Sequence, residues 1–199
     1  MSKARIVDLF VEDRAHEAFL KPLVERVARQ QSINVEIRPR SARGGHGRAL
    51  AEFQAFQRAI RHISDPLPDL IVVGIDGNCT SFVKRREEIL QKTEADFQDY
   101  VVVACPNPHI ERWYLADLQA FQQVVGSRPT VTEDKCQRDF YKKLLVDSIR
   151  TASHPPTLGG IEFAKELVDA MDLYRAGKGD GSLKAFLDDL HAKLRALSK

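Results

Sequence analysis

Asp69-Leu70-Ile71-Val72-Val73-Gly74-Ile75-Asp76-Gly77-Asn78 is the stretch on which the fold turns. From Leu70 to Ile75 it carries no polar side chain. A strand in the middle of a sheet, covered on both faces, needs such a run. The run stops at Asp76-Gly77-Asn78, turn-forming residues that also leave a carboxyl group at the strand's end.

Three more strands are read outward from it. Upstream, Arg5–Val11 is β-prone and ends at Glu12-Asp13. Asp8 interrupts this run, so one face or one neighbour there is expected to be polar. Ile33–Ile37 is a short strand, and Tyr100–Cys105 is stopped by Pro106-Asn107-Pro108. Helical periods lie between the strands. Phe19, Leu20, Leu23, Val24 and Val27 mark a helix from Ala15 to about Gln31. Pro22 either sits in the first turn of a later start or kinks that helix. Leu50, Phe53, Phe56, Ile60 and Ile63 mark a second helix, broken at Asp65-Pro66-Leu67-Pro68. Ser81 can cap a third, reaching about Lys92. A fourth runs through Glu111–Asp117.

Strand and helix thus alternate four times, the pattern of an α/β protein with a mainly parallel sheet. Beyond Asp117 the chain reads as helical, over Lys135–Ile149, Ile161–Tyr174 and Ser182–Ala196. His154-Pro155-Pro156 and Gly177–Gly181 read as loops.

Composition narrows the function classes. The chain has 199 residues, 30 basic against 28 acidic, for a formal charge of +2. A globally basic coat for nucleic acid is excluded, but a local basic patch is not. Hydrophobic residues at 43% and charged ones at 29% argue against disorder. No run approaches the ~20 apolar residues of a membrane span, and the N-terminus lacks the pattern of a secretory signal. Cys79, Cys105 and Cys136 form no CxxC and are odd in number. They are expected to pack as small apolar groups in a reducing cytoplasm, without a disulfide framework or zinc knuckle. No GxGxxG follows the first strand, which speaks against dinucleotide binding, and there is no Walker motif.

In a parallel α/β sheet, ligands bind beyond the carboxyl ends of the strands. Glu12 closes the first strand, Asp76 the third, and Glu111 lies just past the fourth. Each alone can be a helix cap. Together they can hold Mg²⁺ or Mn²⁺, because gathered carboxylates repel one another unless a cation sits among them. Such a site suits phosphoryl transfer.

Phe10-Val11-Glu12-Asp13-Arg14-Ala15-His16-Glu17-Ala18-Phe19-Leu20 resembles the opening of Toprim domains, where a hydrophobic strand ends in glutamate and a helix follows. Ile71–Asn78 resembles the Toprim strand ending in Asp-x-Asp. Pro106–Asp117 is similar to a Glu-x-Trp-Leu-x-x-Asp stretch of small stand-alone Toprim-like proteins, relatives of the overcoming-lysogenisation-defect nucleases. The resemblance implies a Toprim/Rossmann-like domain over 1–125, with a helical extension over 126–199 packed on it. It also implies divalent-metal-dependent cleavage of nucleic acid, and a link to phage defence. Metal ligands would be Glu12, Asp76 and Glu111, with Asn78 standing where the family has a second aspartate. Relatives often have glycine after the first glutamate and an acid four residues on, where this chain has Asp13 and His16. Those departures leave open a catalytically weakened module that partners an ABC-type ATPase carried on another chain.

The remaining candidates each carry two readings. Arg40, Arg43 and Arg48 lie in a stretch, 38–48, read as an exposed loop that either grips phosphates or is merely solvated. Lys84 and Arg85 either contact phosphate or are helix surface. Lys135 is a candidate for stabilising transition-state charge, as a lysine does in related nucleases. His109 is a base or a cap; Trp113 and Tyr114 stack on bases or fill the core; Asp117 supports the site or ends a helix.

Overall fold

The computed structural model describes residues 3–41, 45–60, 67–131, 136–137 and 139–198. Strands β1 (Arg5–Val11), β2 (Val35–Ser41), β3 (Leu70–Gly74) and β4 (Val101–Ala104) form one sheet in the order β2-β1-β3-β4. Every pairing is parallel. The α/β class read from the alternation is therefore the class observed. Among the described residues, no helix is long and apolar enough to cross a membrane.

Side chains alternate between the two faces. Val7, Leu9, Val11, Leu70, Val72, Val102 and Ala104 face one core. Phe10, Ile71, Val73, Val101 and Val103 face the other. The second core is covered by α2 (His46–Ala59) and α3 (Phe82–Gln91). The first is covered by α1 (Arg14–Gln30), α4 (Glu111–Tyr114), α5 (Leu118–Val125), α6 (Phe140–Thr151), α7 (Ala164–Ala170), α8 (Leu173–Gly179) and α9 (Gly181–Leu197). The helices after residue 126 thus share a continuous core with the sheet.

Several boundaries differ from the sequence reading. The arginine-rich stretch is not all loop, because β2 runs on through Arg38, Pro39, Arg40 and Ser41 against Asp8–Val11. Proline is tolerated there because β2 is an edge strand. The buried Asp8 carboxylate explains the rest, since Arg38 binds it through Nε and Nη2 at 2.8 and 2.9 Å. The helix after β1 starts at Arg14 and runs through Pro22 rather than starting later. Gly177-Lys178-Gly179 lies within α8, not in a loop. Gly177 packs against Lys184 of α9, where an added Cβ would make ordinary contact with Lys184 Cα at 3.5 Å.

Asp117 ends one segment and ties it to another. It caps α5 by accepting from Gln119 and Ala120 amides, accepts the Asp172 amide at 2.9 Å, and binds the Arg175 guanidinium through both oxygens. Trp113 is fully buried, and its indole N–H donates to Ser182 Oγ at 2.9 Å. Both residues serve packing of the C-terminal helices. Asp117→Ala should therefore lower unfolding free energy by about 2 kcal/mol in a urea titration, from one lost cap and the lost hydrogen bonds to the Asp172 amide and Arg175. A midpoint unchanged from the parent would show that the contact holds nothing together.

Candidate metal centre

The site is assembled where the strands end. Val11 lies beside Gly74, and Gly74 beside Ala104, so β1, β3 and β4 terminate at one level. The Glu12 amide donates to Gly74 O, and the Asp76 amide donates to Glu12 Oε2 at 3.1 Å. The Glu12 carboxylate is thereby tied to the backbone at Asp76, beyond the end of the adjacent strand. Gly77 and Asn78 follow in a turn whose amides donate to the carbonyls of Pro106 and Pro108, at 2.7 and 2.9 Å. A Cβ on Gly77 would lie 3.1 Å from Pro106 O, so glycine allows that approach.

Asp13 begins α1 and orients the next group. Its Oδ1 accepts from the amides of Ala15 and His16, and from His16 Nδ1 at 2.8 Å. His16, one turn into the helix, is fully buried, and its Nε2 lies 3.1 Å from Asp76 Oδ1. His109 Nδ1 reaches the other oxygen of Asp76 at 3.2 Å. Glu12, His16 and Asp76 each present a donor atom, all within 4.8 Å of one another.

Charge in this group is strongly biased. Burial works against the Asp76 carboxylate, yet His16 and His109 outweigh it and hold its pKa below the ordinary value. Asp13 is likewise opposed by burial but drawn down to about 2 by its hydrogen bond to His16. His16 is disfavoured as a cation by burial, but Asp76 and Asp13 raise it to about 10. Glu12 and Glu111 go the other way, pushed up first by burial and then by the nearby Asp76 charge. Titratable groups pushed apart like this mark functional clefts.

Asp76, Asn78, His109 and Glu111 line an open cleft of about 520 Å³, together with Asp13, Asp139 and Lys142. Glu12, Asp76 and Glu111 are thus gathered at one sheet edge, with Glu111 outside the tightest trio. Asn78, at a φ of 46°, lies on the exposed rim. A more apolar hollow of about 380 Å³ adjoins the cleft, sharing Asp13, Glu111 and Lys142 and adding Tyr114, Leu145 and Ile161.

The basic candidates are distributed unevenly. Arg40 is committed elsewhere, 3.3 Å from Asp8 and stacked over the Phe56 ring at 4.7 Å. Arg85 is paired with Glu88 and mostly buried. Arg48 is exposed beside Glu52 on the first turn of α2. That helix starts next to the site, since a Cβ on Gly45 would lie 3.9 Å from Glu12 Oε1. Lys84 is exposed on α3. Arg43 and Lys135 fall outside the described residues. Lys142 lines the cleft, a role sequence reasoning missed; it is an ordinary exposed lysine on α6, with no motif around it. His16 was also missed as a donor, since its period places it with the core residues of α1.

Cys79 and Cys136 correct the expectation for cysteine. They are exposed at the cleft rim, 57 residues apart in sequence but 5.5 Å apart at Cα, a separation that lets them form a disulfide on oxidation. Only tertiary placement brings them together. Cys105 does behave as a small buried apolar group, its thiol pushed by burial up to about 12.

Two outcomes are expected. Alkylation of air-oxidised, denatured protein should label Cys105 alone, and two further thiols only after reduction. The second concerns pH in metal-free protein. His16 gains stability on folding because its pKa rises from 6.5 to about 10, so that contribution is complete below 6.5 and lost on rising through about 10. Asp13 falls from 3.8 to about 2, so its contribution is present above 3.8 and lost on falling through about 2. The melting temperature should decline across the alkaline window, and His16→Gln should flatten the decline. A parent profile already flat there would refute a charged His16 in the folded protein.

No family model, curated protein or solved structure matches this chain.

Proposed function

We propose that the protein is a divalent-metal-dependent nuclease of Toprim-like type, hydrolysing phosphodiester bonds of nucleic acid. One observation carries the reading: Glu12, His16 and Asp76 place three donor atoms within 4.8 Å at the carboxyl edge of a parallel sheet. The donor set fits an ion. His16 Nε2 and Asp76 Oδ1 are both buried and make no hydrogen bond, and carboxyls pushed upward are relieved by a cation.

Glu12 and Asp76 would hold Mg²⁺ or Mn²⁺, with Glu111 and Asn78 at the edge of the same cleft. Such an ion supplies Lewis-acid polarisation of a phosphoryl oxygen and neutralises charge that develops there. The chain's own groups do the rest. Lys142 faces the cleft and meets a phosphate as a point charge. Glu111 is raised by burial, so it exchanges a proton closer to neutral pH than an ordinary glutamate, as a group moving a proton to or from the reacting oxygen must. Exposed Arg48 and Lys84 provide backbone contacts, a role Arg40 and Arg85 fill less readily because their paired guanidinium groups are less exposed. The cytoplasm is the compartment proposed with this substrate, and there Cys79 and Cys136 would be reduced.

A second reading has one observation in its favour. His16 already supplies a buried positive charge between Asp13 and Asp76, so the fold can stand without an ion. On that reading the protein is a regulatory module for an ABC-type ATPase on another chain, as in a phage-defence system.

Purified protein with Mg²⁺ or Mn²⁺ should nick plasmid DNA or cleave RNA. Glu12→Gln and Asp76→Asn should each lower the rate by at least about 100-fold, the scale on which loss of a charge-stabilising catalytic group acts. Cleavage undiminished in both variants, after repurification excludes a contaminant, would end the nuclease assignment.

A further inference from the structure

We propose that His16 is itself a metal ligand, so that the site selects first-row transition ions over Mg²⁺. The inference rests on the reading above that Glu12 and Asp76 hold a divalent ion, and adds the donor that decides which one.

The two nitrogens of the buried ring have different surroundings. Nδ1 is bound at 2.8 Å by Asp13 Oδ1, an oxygen already fixed by two helix amides. A carboxylate on one ring nitrogen is how proteins orient a histidine whose other nitrogen binds metal. Nε2 is that other nitrogen. It is shielded from solvent and has no hydrogen-bond partner, and the Asp76 Oδ1 it faces has none either. They lie 3.1 Å apart, yet their alignment does not make a hydrogen bond. Without an ion the two groups compensate each other only as an ion pair, and an ion bound to Nε2 takes the place of its proton, which is released to solvent. One ion between them would be held by both, and 3.1 Å is close to the edge of an octahedron with bonds near 2.1 Å.

A ring nitrogen changes the preference of a site otherwise made of oxygen. Mg²⁺ favours oxygen and gives up its water reluctantly, whereas transition ions accept imidazole, with affinity rising from Mn²⁺ through Fe²⁺ towards Zn²⁺. His109 offers no equivalent. Its Nδ1 is engaged with Asp76 Oδ2, and it lies outside the group of donors that meet within 4.8 Å.

Mn²⁺ serves as the probe. Pulsed electron paramagnetic resonance of the parent protein carrying one equivalent of Mn²⁺ should show ¹⁴N coupling from an imidazole. The coupling should persist in His109→Gln and vanish in His16→Gln. Competition between the two ions should show the preference for Mn²⁺ over Mg²⁺ falling at least about tenfold in His16→Gln. Mn²⁺ bound by the parent without nitrogen coupling, or coupling that survives His16→Gln, would overturn this inference and leave the carboxylate site intact. No Mn²⁺ bound by the parent at millimolar concentration would overturn it together with the nuclease reading. The parent spectrum decides even if His16→Gln fails to fold.

Discussion

A buried imidazole held between two carboxylates organises the working edge of this molecule. Asp13, His16 and Asp76 are linked by contacts of 2.8 and 3.1 Å. Taking a charge out of water is expensive unless partners replace the water, and here each partner has a second duty. Asp13 starts α1, and Asp76 terminates the central strand β3. The pairing therefore fixes helix and sheet relative to each other, with Gly74 setting the gap. A Cβ on Gly74 would lie 2.5 Å from Leu20 Cδ1 and 3.7 Å from the His16 ring. A side chain at position 74 would therefore have to displace the Leu20 side chain of α1.

Several arginines of the chain are spent on pairs that hold the fold together. Arg38 and Arg40 neutralise Asp8, which has no exposed surface. Arg175 binds the equally buried Asp117, and Arg86 reaches Asp189 from α3 to α9. Truncating an arginine that pairs with a buried carboxylate leaves that carboxylate uncompensated, so the arginines on Asp8 and Asp117 are constrained by architecture first. The near-neutral net charge conceals this division. Among the described residues, exposed cations near the cleft include Lys142, which lines it, Arg14, which lines the adjoining hollow, and Arg48, beside Glu52 on the first turn of the adjoining helix.

The sheet was legible because apolar runs and helical periods report burial directly. Asp8 even announced a polar neighbour, since a carboxylate inside an apolar strand needs a partner. The strand-end acids Glu12 and Asp76 were legible because parallel topology sends all strand ends to one edge. His16 was not. Its position at the third residue of a helix, beside the core positions Phe19 and Leu23, looks the same whether the ring fills space or binds something. The usable signal was Asp13, a capping carboxylate three residues earlier, where an aspartate can hold both the helix amides and a ring nitrogen. Lys142 was not legible either, because an exposed lysine near the start of α6 has no motif around it that marks it as facing the cleft. The pairing of Cys79 with Cys136 depends on a turn and a segment brought together by the whole fold, so no spacing encodes it.

Electrostatics then constrains the order of events on the proposed reading. The cleft gathers Glu12, Asp13, Asp76, Asp139 and Glu111 against His16, His109 and Lys142. A phosphodiester approaching that balance meets excess negative charge. Occupancy of the trio by a divalent cation cancels that excess, so cation and phosphate must favour each other's binding. Linkage makes that coupling reciprocal: a nucleic acid that binds better in the presence of the ion must tighten the ion by the same factor. Asp76, held ionised by two histidines, and Glu111, raised by burial, then divide the labour. One is fit to retain a cation at all working pH values, and the other to exchange a proton.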